Sequence, residues 1–345
     1  MKTFAFPGII EDDILSIAAG QIPYMRTGWF SGLMLENERM LLEAIGCRGG
    51  RVMFFTASGT AAMEAVVQNY VAAQGKAFII DGGSFGHRWM ELCNYHGVEN
   101  RAMQVPFAKD IDYDRLDNEV GQYRPAVFLV QHHETSSGQL FDLKRISAIC
   151  RKYSVSLVVD VISSFLAQEL DMDGLGIDVA VTSSQKGLNV PPGAALVFLS
   201  ERALEREFAH SNYYLDFQDN LKNLERGQTP FSPATTIFMQ IHERMRRNLE
   251  IGIDNVIART REKALYFRSL CRENGWEMPS ETPANAITGF FVHRNADVMC
   301  TELQKKGVFI MPCGRPGYFR VSHMGADTRD DLKELAGMIR EIELM

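Results

Sequence analysis

Short apolar runs recur along the first two-thirds of the chain, each followed by a stretch with apolar positions every three or four residues. Runs at 52–56, 77–80, 126–130, 157–159, 179–182 and 194–198 read as strands. They are apolar on both faces, as buried strands are. Residues 61–73, 89–95, 143–153 and 166–170 read as helices. The alternation predicts parallel strands joined by crossover helices, a doubly wound or related α/β sheet. Residues 215–233 are polar and turn-rich, and 234–258 read as one long helix bridging to a second unit. Beyond it come a strand at 286–292, a helix at 296–306, strands at 309–311 and 318–322 and a last helix at 329–344, which fit a small α+β domain. The expected division is an N-terminal arm at 1–20, a large domain at 21–245 and a small C-terminal domain at 246–345.

Composition narrows the possibilities. A chain of 345 residues suits about two domains at roughly 100–200 residues each. Hydrophobic residues at 46% and charged ones at 23% suit a soluble globular protein. A net charge of -7, with no basic arm or appended helix-turn-helix, argues against a nucleic-acid partner but allows a local basic pocket. The six cysteines include no Cys-x-x-Cys pair and the eight histidines no pair at zinc-ligand spacing, so neither a disulfide framework nor a metal site is expected. A reducing cytoplasm is the simplest setting. Residues 1–8 are too short and too soon broken for a signal peptide, and no run of about 18 apolar residues predicts a membrane span.

The chemistry gathers where apolar runs end. Asp160 closes one run and Lys186 follows another. If both runs are strands of one parallel sheet, the two residues stand near its carboxyl edge, where open α/β sheets place ligands. A lysine able to form a Schiff base and an aspartate able to hold a pyridinium nitrogen are what a pyridoxal phosphate enzyme requires. Such an aspartate keeps the nitrogen protonated, and a released Lys186 can act as general base. Taken singly, each reads as well as a surface lysine or a strand-end aspartate.

Thr56-Ala57-Ser58-Gly59-Thr60 follows a strand and precedes a helix, so it offers a phosphate cup of amides and hydroxyls, or an ordinary N-cap. It lacks the glycine patterns of dinucleotide sites and P-loops. In Gly82–Trp89, Phe85 can stack on a flat ring or sit in the core. Ile162 shares Asp160's side of a continuing strand and can cover the opposite ring face, while Gln185 can donate to a phosphate. Thr135, in Gln131–Gly138, can donate to a ring oxygen or belong to a capped loop. Arg320 can grip a carboxylate through paired hydrogen bonds or lie at a strand edge. The loop 226–230 can reach a neighbour's site in a dimer.

Taken together, Ser183-Ser184-Gln185-Lys186-Gly187, Pro191-Pro192-Gly193, Val159-Asp160, Ala57-Ser58-Gly59-Thr60, Glu134-Thr135-Ser136-Ser137-Gly138 and Gln228-Thr229-Pro230 resemble the class V pyridoxal phosphate-dependent aminotransferases. The relevant branch holds the alanine–glyoxylate, serine–glyoxylate, serine–pyruvate and 2-aminoethylphosphonate–pyruvate enzymes. The resemblance covers nearly the whole chain and implies the fold-type I architecture, a large domain with a mostly parallel sheet between helices plus a small α+β domain. It implies pyridoxal 5'-phosphate as cofactor, Lys186 as Schiff-base lysine and Asp160 as pyridinium partner. Ser58, Gly59, Thr60 and Gln185 would hold the phosphate, Thr135 would lie near the ring oxygen, and Thr229 would approach the phosphate from the other subunit of a homodimer. Phe85 falls where the family uses Trp or Tyr and lacks their polar tip. Arg320 matches the arginine that binds the substrate carboxylate or phosphonate.

The segment Pro23–Phe30 departs from many relatives, which carry a His-Arg pair followed by Ser-Pro-x-Phe; only Arg26 and Phe30 match, and this segment borders the substrate pocket. The implied reaction moves an amino group from a small donor (alanine, serine or 2-aminoethylphosphonate) to a small 2-oxoacid such as glyoxylate or pyruvate. Two alternatives remain, a class V lyase such as a cysteine desulfurase and a non-catalytic pyridoxal-binding protein. The first needs a reactive cysteine on a mobile loop; Cys313 stands in a turn-like segment but closer to Arg320 than the desulfurase cysteine lies.

Overall fold

A computed structural model of the chain describes residues 1–345. Its centre is a seven-stranded sheet in the order Arg51–Phe55, Ala195–Leu199, Val179–Ser183, Ser156–Asp160, Val127–Gln131, Ala77–Asp81, Asn100–Gln104. Every pairing is parallel except the two made by Ala195–Leu199. Alternate residues of one strand enter opposite cores: Phe78 and Ile80 go to one, Ala77 and Ile79 to the other. Helices cover both faces. Leu143–Tyr153 buries Leu143, Ile146, Ser147, Ile149 and Cys150, one stripe of a helix, and Asp142 caps its start by accepting from the Lys144 and Arg145 amides. No helix is long and apolar enough to cross a membrane.

The structure departs from the sequence reading where local signals are weak or the geometry is special. Ala195–Leu199 is antiparallel because the connection, residues 184–194, is shorter than the dozen or so that a crossover takes. Residues 166–170 run from a turn into irregular chain rather than a helix, and Leu166 has φ of 62°. Asn100–Gln104 went unpredicted; it is an edge strand with only Met103 buried, so it lacks an apolar run. Of the helices that the sequence pattern does not predict, two are long. Tyr113–Tyr123 is mostly polar. Gly28–Ile45 has a plain stripe of Phe30, Leu33, Met34, Leu41 and Ala44, capped by Thr27 and ended by a left-handed Gly46. Residues 215–233 contain a short helix, Phe217–Leu224.

The expected single helix at 234–258 is two, Thr235–Ile251 and Ile253–Glu273, broken at Gly252 with φ of 87°. The first packs on Gly28–Ile45, the second on Arg329–Leu344 and Ile287–Phe291. A three-stranded antiparallel sheet, Ile287–Phe291, Tyr318–Ser322 and Met311–Pro312, has its own core around Phe267, Trp276, Phe290 and Ile339. Phe4 is buried in that same core. The start of the N-terminal arm pairs with Val308–Phe309, so it joins the small sheet's unit.

Candidate active site

The short antiparallel connection that carries Lys186 is closed on itself. Ser184 donates its amide to the Ala194 carbonyl at 2.9 Å, and the Ala194 amide returns to Ser184 Oγ at 3.2 Å. Gly187 lies so close to the Phe165 carbonyl that a β-carbon there would collide with it. The Lys186 side chain is thereby aimed inward; the residue is 8% exposed. Its Nζ lies 3.5 Å from the Phe6 ring centroid and 5.9 Å from that of Phe85.

Asp160 ends the neighbouring parallel strand, is 4% exposed and accepts from the Ile162 amide at 2.7 Å. Burial pushes the Lys186 ammonium down to about 7 and the Asp160 carboxyl up to about 7, and their mutual attraction opposes both shifts. Asp160 is the strongest charge acting on Lys186, so the two belong to one buried site.

The helix Gly59–Val66 starts beside this pair. Ser58 holds its N-cap position in extended conformation, yet its hydroxyl caps nothing. A β-carbon on Gly59 would stand 2.7 Å from Ile162 Cδ1 and 3.4 Å from Ser183 Cβ. Thr60 Oγ1 accepts from Arg88 Nη1 at 3.2 Å. Arg88 also lies 5.0 Å from the Phe85 ring centroid, and its charge acts on both Lys186 and Asp160. Uncommitted helix amides, two hydroxyls and a guanidinium together suit a phosphate. The buried Ser183 hydroxyl has no partner, and Gln185 is half-buried.

Glu134 anchors the next loop. Its carboxylate accepts from five donors: the Phe85, Gly86 and Ser136 amides, Gln131 Nε2 and Ser136 Oγ. Burial pushes its proton affinity up while these donors pull it down. Its charge also raises that of Asp160. It thus fixes the turn that presents Phe85. Thr135 Oγ1 meets Ser163 Oγ at 2.6 Å.

The small sheet grips the same loop at successive carbonyls. Arg320 Nη1 donates to Thr135 O at 2.9 Å, Cys313 Sγ to Ser136 O at 3.5 Å and the Tyr318 hydroxyl to Ser137 O at 2.7 Å. Arg320 Nη2 donates to Pro312 O at 2.9 Å, and its Nε has no partner. Cys313 is therefore bonded to backbone at a strand end.

Lys186, Asp160, Ile162, Gly59, Thr60, Phe85, Thr135 and Arg320 form one connected cluster. Arg26 and Thr229 form another. Arg26 Nη1 donates to Gln228 Oε1 and Thr229 O, each at 2.7 Å, and Thr229 Oγ1 donates to Phe231 O at 2.7 Å. Arg26 is thus engaged with its own protomer's loop. A cavity of about 1330 Å³ lies between the helix Leu143–Tyr153, residues 165–175 and the start of Ile253–Glu273; neither Lys186 nor Asp160 lines it.

Three residues of the site escaped the sequence reading. Arg88 stands one helical turn after Phe85, a spacing that could have flagged it. Glu134 was visible only as part of a polar loop. Nothing local marked Phe6.

Comparison with known proteins agrees with this geometry. The profile of the family "Aminotransferase class-V" matches residues 34–266. The chain is 27% identical to the soluble hydrogenase 42 kDa subunit of Anabaena cylindrica, over 95% of this chain and 89% of that one. It is 26% identical to the L-aspartate–glyoxylate aminotransferase of Paracoccus denitrificans, over 88% and 80%. The crystal structure of a subgroup IV aspartate aminotransferase from Thermus thermophilus superposes with a TM-score of 0.92 at 26% identity, covering 99% of this chain and 98% of that one. The chain therefore belongs to the class V aminotransferase family and is a pyridoxal phosphate-dependent enzyme of the fold-type I architecture.

Proposed function

We propose that this enzyme transfers an amino group from a small donor (alanine, serine or 2-aminoethylphosphonate) to a small 2-oxoacid such as glyoxylate or pyruvate. The observation that carries the reading is the buried, electrostatically coupled pair Lys186–Asp160 with Arg320 acting on the same amine. The residues present fit pyridoxal phosphate. Lys186 would bind it covalently and Asp160 would hold its ring nitrogen. Ser58, Gly59, Thr60, Gln185 and Arg88 would hold its phosphate. Phe85 and Ile162 would cover its faces, with Thr135 near the ring oxygen.

When bound, the cofactor supplies an electron sink that acidifies the donor's α-hydrogen. The protein's share is positioning and proton transfer. Lys186, lowered to about 7, holds a substantial neutral fraction near neutral pH, as a nucleophile and a general base require. Asp160, which burial raises to about 7, would be held as the carboxylate once the cofactor's protonated ring nitrogen stands beside it. Arg320, whose Nη1 and Nη2 each hold one backbone carbonyl and whose Nε has no partner, would turn its guanidinium to the donor's carboxylate or phosphonate. Over a full cycle the donor becomes an oxo compound and the acceptor an amino acid, with no net oxidation.

The loop 228–230, fixed by Arg26, would present Thr229 to the other subunit of a homodimer. Exposed Tyr24, Trp29 and Tyr213 support a partner surface nearby. Six unpaired cysteines support a cytoplasmic setting.

The test is a panel of amines added to cofactor-loaded protein, with absorbance followed from the lysine-bound form to pyridoxamine phosphate. Alanine, serine or 2-aminoethylphosphonate should drive the change, and glyoxylate or pyruvate should reverse it. A panel in which no amine shifts the spectrum overturns the proposal.

A further inference from the structure

We infer that Phe6 sets the donor range of this site by walling the space over Lys186, so that a donor must carry a short, uncharged side chain. The inference rests on the reading of Lys186 as the residue that holds the cofactor.

Phe6 is held by more than its own packing. The arm before it is pinned on both sides: the Phe4 amide donates to Phe309 O at 2.8 Å, and the Ser322 amide donates to Phe4 O at 2.8 Å. Phe4 is buried in the small sheet's core. Two residues on, Phe6 extends to Lys186, its ring centroid 3.5 Å from Nζ. Phe6 and Met311 pack against buried Ala167, Ala286, Ile287 and Met324. Met311 is the cross-strand partner of Arg320, and such partners share a sheet face. The apolar wall and the free Arg320 donor therefore flank the amine together.

This arrangement bears on the donor. Arg320 takes the donor's carboxylate, and the reacting amine replaces Lys186 Nζ. The donor's side chain is then left to face Phe6 and Met311. The cations that act on Lys186 are Arg320 and Arg88, and Arg88 sits with Thr60 at the phosphate end. Arg26 is engaged with residues 228–230. Arg88 and Arg26 are thus both engaged elsewhere, and burying a second carboxylate unpaired against an aromatic ring is strongly unfavourable. A chain of several carbons meets the ring itself.

The experiment uses cofactor-loaded protein, wild type, F6A and F6L. Calorimetry measures the binding of acetate, butyrate and hexanoate, carboxylates that have no amine to react. Steady-state rates are measured with alanine, 2-aminobutyrate, norvaline and aspartate. The F6A variant should bind hexanoate relative to acetate roughly tenfold better than wild type, and should raise kcat/KM for norvaline over alanine by a similar factor. F6L should fall between; if F6A does not fold, F6L against wild type decides. Equal selectivity in wild type and variants overturns the inference, as does aspartate serving wild type better than alanine. Wild type that shows no lysine-bound cofactor absorbance sinks the functional reading as well, which separates the two failures.

Discussion

The face of the site built by the seven-stranded sheet and the face built by the small sheet meet at residues 134–137, and different bonds hold them there. On the large-sheet side, Asp160 ends a strand buried on both faces, Lys186 stands in a connection closed on itself, and Glu134 gathers five donors. These contacts tie that face to the ends of the large sheet's own strands. On the small-sheet side, Arg320, Cys313 and Tyr318 each reach one carbonyl of that loop, the neutral Tyr318 bond worth about 1 kcal/mol and the charged Arg320 bond about 1.5–3 kcal/mol. Those bonds can open one at a time, as motion between units generally does. On the proposed function, the large sheet would present a preset cradle for the cofactor, and the small sheet a detachable grip for the substrate. Substitutions on the two faces should fail in different ways.

The largest effect belongs to Lys186→Ala. Activity should fall by roughly 10³-fold or more, and the absorbance of lysine-bound cofactor should vanish. Wild-type protein without cofactor should show the cause. Acylation of Lys186, followed by mass spectrometry of its peptide, should rise as pH increases through about 7, because the neutral amine reacts and burial has lowered its affinity for the proton. A midpoint near the ordinary lysine value would mean that the amine is hydrated and the cradle open.

Glu134→Gln and Arg320→Ala come next and should separate the faces. Whichever way the introduced amide turns, its NH2 faces N–H donors, those of Phe85 and Gly86 or that of Ser136, so cofactor affinity should drop roughly 10–100-fold, as when a buried charged hydrogen bond is lost. At saturating cofactor, the Michaelis constant for the donor should stay within about twofold of wild type. Arg320→Ala should do the reverse, raising that Michaelis constant roughly 10–100-fold with cofactor affinity unchanged. Equilibrium dialysis and steady-state kinetics read both numbers. If each variant shifts both quantities equally, the contrast between preset and detachable faces is wrong.

The same contrast explains what the sequence made legible. Residues on the large sheet's edge announce themselves locally: a strand's apolar run ends in Asp160, and small residues precede a helix at 58–60. The motif around Lys186 needed only its neighbours to be read. The final helix Arg329–Leu344 and the strand Tyr318–Ser322 also carried their own periodicity. Residues that act through distant contacts did not. Phe6 reaches Lys186 only because the arm pairs with residues 308–309, and no feature of residues 1–8 encodes that pairing. Arg320 was identified by resemblance, and its engagement with Thr135 O depends on how two units dock. The antiparallel turn of Ala195–Leu199 was knowable from the length of its connection. The edge strand Asn100–Gln104 was not, because solvent on one side removes the apolar signal.

Tyr318→Phe gives the smallest effect and the finest test. The hydroxyl donates to Ser137 O at 2.7 Å, and Ser280 Oγ donates to the same carbonyl at 2.7 Å, so the carbonyl keeps a partner when the hydroxyl is gone. The ring stays in place between Phe107 and Phe291, at centroid distances of 5.2 and 5.0 Å. Only one neutral hydrogen bond is lost, about 1 kcal/mol, which should lower Tm by about 2 °C. Burial raises the phenol's proton affinity, so the group stays a neutral donor across the working range and the loss should not vary with pH. With the grip loosened at one point, the Michaelis constant for the donor should rise about twofold while cofactor affinity holds. A loss of cofactor affinity as large as the loss of donor affinity would show that the loop 134–137 transmits strain between the faces, and that they act as one body.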